Sequence, residues 1–245
     1  AVICEIMNPD GTMTRGRQLL EFATEHGLNT LSIEDIIYYR LHNEYRVEDQ
    51  ATTSIPLHQY GQFDVTVIKE KTTGLEHLII RKPDIDPSQP TLVRIHSACA
   101  TGDIFFSLRC DCHEQLHYAL ERISNEGGIL IYLQQEGRGI GLLNKIKAYH
   151  LQEQGFDTVE ANEELNLPID ARNYSIAANV LHQFKIERIR LLTNNPDKVS
   201  SLLKYGIKEL IKEQMPIFQN KHNINYLRTK SEKLKHSINV GMLKK

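Results

Sequence analysis

The sequence predicts an α/β fold in which a mixed sheet carries helices on its flanks. Three features point there. Ile129-Leu130-Ile131-Tyr132-Leu133 is a wholly apolar run, as expected of a strand buried on both faces. It leads into Gln134-Gln135-Glu136-Gly137-Arg138-Gly139-Ile140-Gly141-Leu142, and then into an amphipathic helical segment, residues 142–154. Residues 189–192 repeat the plan, with a polar loop, Thr193-Asn194-Asn195-Pro196-Asp197-Lys198, entering a helix at Val199. Strand–loop–helix units of this kind build sheets whose sites lie at the carboxyl ends of the strands.

Composition narrows the class. A chain of 245 residues allows one large domain or two small ones. At 40% apolar and 24% charged residues it has an ordinary globular make-up. No apolar run approaches membrane-spanning length, and Ala1-Val2-Ile3-Cys4-Glu5 lacks the basic start of a signal peptide. A net charge of -2 gives no general attraction to nucleic acid, so phosphate binding has to come from local clusters. Four cysteines, three of them clustered, suit a reducing, cytoplasmic compartment better than a disulfide framework.

In chain order, Ala1-Val2-Ile3-Cys4 is strand-like, and Asn8-Pro9-Asp10-Gly11 is a turn. Residues 17–26 have helical spacing stopped by Gly27, and Ser32-Ile33-Glu34-Asp35 caps a second helix reaching about Leu41. One strand and two helices cannot enclose a core, so residues 1–43 are expected to be the remnant of a larger domain. Residues 44–54, polar and without apolar period, are expected to be a linker. Residues 64–68 and 77–80 are β-rich runs about Thr72-Thr73-Gly74, a hairpin, and residues 91–96 form a further strand. Residues 115–123 are helical, residues 158–170 are an acidic, loop-rich stretch, and residues 171–184 are a helix with Asp170 at its start as N-cap and Arg172 in its first turn. The lysines after Arg228 are expected on a solvated face, with residues 235–245 as a basic tail.

The chemistry concentrates between Arg94 and Cys112. Cys99, Cys110 and Cys112 are spaced C-x10-C-x-C. A C-x-C pair suits one metal ion better than a disulfide. Three thiolates with no fourth Cys or His at short spacing describe an open zinc site, in which water takes the remaining position and is acidified toward neutral pH. Three small buried residues would be the plain alternative. The charges of Arg109 and Asp111 beside the C-x-C speak against it, because they do not suit a packed core. The glycine loop at 137–141 could let backbone N–H groups approach a phosphate. There Arg138 offers a bidentate phosphate contact, and Glu136 offers acceptors for a guanine-like N–H pair or a metal-bound water.

Taken together and in order, the motifs resemble GTP cyclohydrolase II. They are Arg94-Ile95-His96-Ser97, the cysteine stretch with Thr101-Gly102-Asp103, Gln135-Glu136-Gly137-Arg138, Gly141-Leu142-Leu143-Asn144-Lys145-Ile146, Asp157-Thr158-Val159-Glu160-Ala161-Asn162 and Leu191-Leu192-Thr193-Asn194-Asn195-Pro196. Through Cys4-Glu5-Ile6-Met7-Asn8 and Asp10-Gly11-Thr12-Met13, residues 1–43 resemble the C-terminal end of 3,4-dihydroxy-2-butanone 4-phosphate synthase. The whole looks like a fused riboflavin-pathway protein cut inside its first domain, with a GTP cyclohydrolase II-like domain over residues 55–234. Glu5 matches a carboxylate of the synthase, but synthase activity is not expected from so short a segment.

The resemblance implies a zinc-dependent enzyme that opens the imidazole ring of GTP and releases formate and pyrophosphate, with magnesium on the triphosphate. By the same resemblance Cys99, Cys110 and Cys112 hold the zinc. Arg172 is the nucleophile at the α-phosphorus or a cationic clamp, Asp170 its proton acceptor, and Tyr149 an active-site tyrosine. Arg94, His96, Ser97, Gln115, Glu136, Gly137, Arg138, Thr158, Thr193 and Lys198 line the nucleotide site, and the chain is expected to be a homodimer. The family usually has Glu where Ala98 stands, Gly where His113 stands, and a more polar pair than Leu133-Gln134. The readings that compete with the enzyme are therefore a GTP-binding paralogue of little or no activity, serving as scaffold or regulator of the fused synthase, and a structural zinc module.

Overall fold

The structure is a computed structural model that describes residues 3–44, 47–86 and 88–238. The chain divides into two units, residues 1–43 and 44–245. In the first, helix α1 (Arg17–Glu25) ends where Gly27 turns left-handed and Leu28 N–H reaches back to the Ala23 carbonyl. Helix α2 (Ile33–Asn43) opens on a reciprocal cap: the Asp35 amide donates to Ser32 Oγ, and the Ser32 amide donates to Asp35 Oδ2, each at 3.0 Å. Ile3 and Cys4 are exposed and outside any strand, contrary to expectation; Ala1 and Val2 lie outside the described residues. A strand needs a partner, and among the described residues of this unit the one pairing is an isolated bridge between Met7 and Met13. Ala23 is its one buried residue among those described.

The second unit is built on seven strands: β1 (Val47–Leu57), β2 (Gly61–Glu70), β3 (Glu76–Arg81), β4 (Thr91–Ser97), β5 (Ile129–Leu133), β6 (Arg188–Leu192) and β7 (Glu209–Glu213). Their order in the sheet is β1-β2-β3-β5-β4-β6-β7. The β1–β2–β3 meander and the β3–β5 pair are antiparallel, whereas β5–β4, β4–β6 and β6–β7 are parallel. The sheet is therefore mixed, as predicted. The expected linker is corrected: most of residues 44–54 belongs to β1, which pairs with β2 from Val47 to Leu57. Its polar residues fit an edge strand, where ladder hydrogen bonds hold the chain and few side chains need burial.

Helices cover both faces: α3 (Cys112–Glu126), α4 (Leu142–Glu153), α5 (Thr158–Glu164), α6 (Ser175–Gln183), α7 (Pro196–Lys204) and α8 (Ile224–Glu232). The period of two in β5 divides the core. Ile129, Ile131 and Leu133 pack with Ile176, Val180 and Leu181 of α6, while Leu130 faces Ala119, Leu120 and Ile123 of α3. Each such side chain contributes roughly 1.5–3 kcal/mol by leaving water.

Two further expectations change. Residues 158–164 form α5 rather than loop, because Asp157 accepts from the Val159 and Glu160 amides and Glu160 returns the bond to Asp157 N–H. The helix expected from residue 171 begins at Ser175, so Asp170 is not its N-cap. Residues 171–173 are instead held by the glycine loop: Ala171 N–H donates to the Arg138 carbonyl (2.9 Å) and Gln135 Nε2 to the Asn173 carbonyl (2.7 Å).

Candidate active site

Strands β5, β4 and β6 lie side by side and parallel, so their carboxyl ends open at one edge of the sheet. The cysteine stretch leaves β4, the glycine loop leaves β5, and Thr193–Asn195 leaves β6. All three meet in one pocket.

Beyond β4 the chain makes one π-helical turn, Ala100–Ile104, of a kind common at functional sites. The Asp103 carboxylate braces it from inside. It accepts from Cys99 N–H (3.0 Å) and Tyr132 Oη (2.8 Å), and it pairs with His96 Nε2 (3.1 Å). The turn brings the sulfurs of Cys99, Cys110 and Cys112 within 4.8 Å of one another. Gly102 makes room for them. A Cβ there would lie 2.8 Å from Cys110 Sγ and 3.1 Å from Cys99 Sγ, so no other residue fits without moving the cluster.

The electrostatics of the trio suit a cation. Hydrogen bonds from Cys110 and Cys112, with Lys145 alongside, pull the Cys99 thiol far down. Cys112 pulls the Cys110 thiol down, but Cys99, 3.7 Å away, and burial outweigh it, and Cys110 is pushed up to about 12. Cys112, hydrogen-bonded to Cys110 and Cys99 in its protonated form, is raised as well. One thiolate forms readily, and each further one meets its charge. A divalent metal removes that obstacle, so the donor set fits zinc, with a position left open.

Around the thiols runs a belt of cations. Arg94 donates to the Leu192 carbonyl (2.9 Å) and to Gln115 Oε1 (2.6 Å), and burial lowers it to about 10. Gln115 donates in turn to Asp111 (2.6 Å), which also takes Lys230 Nζ at 2.8 Å. Lys198 donates to the Ile95 carbonyl (2.7 Å); burial, then Arg94 and Arg172, hold its pKa well below the usual lysine value. Arg138, at φ 61°, has both terminal nitrogens buried and without a protein partner, and it lies over the Tyr226 ring at 5.8 Å. Gly139 beside it, at φ 88°, packs so closely that a Cβ would stand 2.9 Å from the Ala171 carbonyl oxygen. Arg172 grips Asp170 through its Nε and terminal nitrogen. Burial disfavours the Arg172 charge, but Asp170 outweighs it, and the guanidinium stays protonated.

Of the sixteen residues read from sequence, all but Asp170 line this pocket; Asp170 is joined to it through Arg172. Glu136 differs in detail from its sequence reading, since its carboxylate already accepts from Ala100 N–H (2.6 Å), Gly137 N–H (2.9 Å) and Lys145 Nζ (2.8 Å). Tyr149 lies under the Arg109 guanidinium at 4.3 Å, and Thr158 joins the wall as the first residue of α5. Ala98, where the resembled family carries Glu, is buried in the wall, whereas His113 lies outside the pocket against Phe106 and His117.

Sequence reasoning missed Lys145 and a wall supplied by the C-terminal segment: Tyr226, Lys230 and His236. The solvated-face reading of the lysines is corrected for Lys230, which is 9% exposed and bound to Asp111, itself only 2% exposed. Lys233 pairs with Asp157 and Glu160, while Lys244 and Lys245 lie outside the described residues. The spacing of Tyr226 and Lys230, four apart on one helical face, was the available signal. The charges beside the C-x-C proved compatible with burial because Asp111 is paired there.

The pocket of this α/β domain gathers three thiols at one point and seven Lys and Arg side chains around a single Glu carboxylate among its lining residues. The chain belongs to the GTP cyclohydrolase II family, whose sequence model matches residues 48–216. The model of 3,4-dihydroxy-2-butanone 4-phosphate synthase matches residues 1–39. Among curated proteins, the riboflavin biosynthesis protein RibBA of Phocaeicola vulgatus and that of Bacillus cereus are each 48% identical over 242 residues. The alignment takes in 98% of this chain and 60% of each relative, so the chain spans about three fifths of their length. Among solved structures, the crystal structure of RibBX, a two-domain 3,4-dihydroxy-2-butanone 4-phosphate synthase from A. baumannii, is similar. It has a TM-score of 0.53 and 24% identity, covering 87% of this chain and 53% of that one, a likeness of fold.

Proposed function

We propose that this protein hydrolyses GTP at its imidazole ring, releasing formate and pyrophosphate and leaving a diaminopyrimidinone ribosyl phosphate. This is the first step of riboflavin biosynthesis, carried out in the cytoplasm by a homodimer. The observation that carries this reading is the juxtaposition of three thiols with a pocket lined by seven Lys and Arg side chains. A zinc ion held by Cys99, Cys110 and Cys112 would supply Lewis-acid activation of water at a purine carbon that is a poor electrophile. Arg138, with its terminal nitrogens free of protein partners, Lys198 and Arg172 hold the magnesium-bound triphosphate. Arg172 acts as a clamp at the α-phosphate: its paired, protonated guanidinium has no lone pair for nucleophilic attack, and Asp170 fixes its direction. His96, with Nε2 tied to Asp103 and Nδ1 unpartnered, presents an acceptor on the pocket wall. Gln115 holds Arg94 in register.

Incubating zinc-loaded protein with GTP and magnesium, and assaying formate and pyrophosphate together, tests the proposal. Both products should appear, and Cys110→Ser should abolish formate. Ala98 favours one second reading, a paralogue that binds GTP without turnover. GTP binding with neither product would establish that reading and refute the first.

A further inference from the structure

Helix α4 buries a lysine while exposing aliphatic side chains. Leu143 is 70% exposed and Leu142 and Ile146 nearly half exposed, yet Lys145 between them is 8% exposed. Burying a lysine while leaving three aliphatic side chains in water reverses the usual partition and calls for a local cause. The cause is at its tip. Lys145 Nζ stands 3.1 Å from Cys99 Sγ and 2.8 Å from Glu136 Oε1. The base of its side chain lies against the glycine loop, since a Cβ on Gly137 would stand 3.1 Å from Lys145 Cβ. Glu136 is fixed in turn by the Ala100 and Gly137 amides. Cys99 and Glu136 are thus two acidic groups from different loops, and one ammonium joins them.

We infer that Lys145 is a positioning residue of the thiol centre: it offsets the negative charge that three thiolates concentrate there and so sets the centre's affinity for a divalent metal. Three thiolates and a dication leave one net negative charge in a largely buried place, with the Glu136 carboxylate nearby. Without the ammonium, the two would face each other with no cation between them, Glu136 keeping only its amide donors. Groups that hydrogen-bond metal ligands commonly govern affinity by about 10–100-fold. The inference rests on the reading of the three thiols as a metal centre and is independent of the reaction assigned to it.

The test is a competition titration of zinc against a chromophoric chelator for the unsubstituted chain, Lys145→Met and Lys145→Arg. Circular dichroism and a thermal melt accompany it, together with the thiolate-to-cobalt charge-transfer absorption of the Co2+ forms. Lys145→Met should bind zinc about 10–100-fold more weakly with its fold kept and its charge-transfer band displaced. Lys145→Arg should recover most of the affinity, which a purely space-filling role would not predict. If Lys145→Met stays folded and binds zinc within twofold of the unsubstituted chain, the inference is overturned, even if the Michaelis constant for GTP rises. If the unsubstituted chain binds no zinc, the metal reading falls and the role of Lys145 with it.

Discussion

Lys230→Met removes one half of a buried ion pair and leaves the other half in place. Asp111 sits between two of the cysteines, 2% exposed, and takes hydrogen bonds from Lys230 at 2.8 Å and Gln115 at 2.6 Å. Without the lysine, its charge keeps a single neutral donor. Breaking such a pair costs about 3–5 kcal/mol, most of it the expense of an uncompensated buried carboxylate. For a unit of this size about 1 kcal/mol moves the melting temperature by roughly 2–4 °C, so the variant should melt on the order of 6–20 °C lower. The double variant Lys230→Met, Asp111→Leu removes both charges and should recover most of that loss, since apolar replacements of buried pairs are often neutral. Urea unfolding of these proteins together with Asp111→Leu, read by circular dichroism, closes the cycle and gives the coupling. A cost under about 1 kcal/mol for the single variant, or a double variant less stable than Lys230→Met alone, would refute the claim that the pair is buried and mutually dependent.

Other substitutions test other links. Gly102→Ala puts a methyl group 2.8 Å from Cys110 Sγ, so bound zinc measured by atomic absorption should fall below half of one equivalent while the fold persists. Asp170→Asn frees the Arg172 fork; GTP turnover should drop about 100-fold or more with little change in melting temperature, a loss of transition-state rather than folding energy. Glu126, hydrogen-bonded first by Arg122 and then by Arg190, is held at about 2 against an ordinary 4.5. A depressed carboxylate stabilises the fold above its unfolded pKa and loses that contribution as pH falls through the folded one. Glu126→Gln should therefore cost about 1 kcal/mol at pH 7, after allowance for solvent screening. The difference from the unsubstituted chain should shrink between pH 4.5 and about 2; an undiminished gap at pH 2.5 would contradict the assignment.

The parallel centre of the fold was legible because β5 is a wholly apolar run, and because β5 and β6 are each followed at once by a glycine or polar loop that enters a helix. The site was legible for the same reason: its residues cluster at those loops. What escaped detection depended on distant pairing. Residues 44–54 look like a linker until β2 supplies a partner ladder. The start of α6 is delayed because the glycine loop, thirty-odd residues earlier, claims residues 171–173. Lys230 reads as a surface lysine until Asp111 is placed opposite it, and Lys145 looks misplaced among leucines until a sulfur is found at its tip. In each case a local pattern was overridden by a polar contact made across the fold.

The pair between Asp111 and Lys230 spans 119 positions of sequence. On a ribosome adding about 5–20 residues per second, that interval lasts roughly 6–24 seconds. Throughout it the cysteine segment has been made while the carboxylate between two of its thiols still lacks its cation. A nascent chain would pass through a stage in which these sulfurs are accessible to stray metals and oxidants, and arrival of α8 would end it.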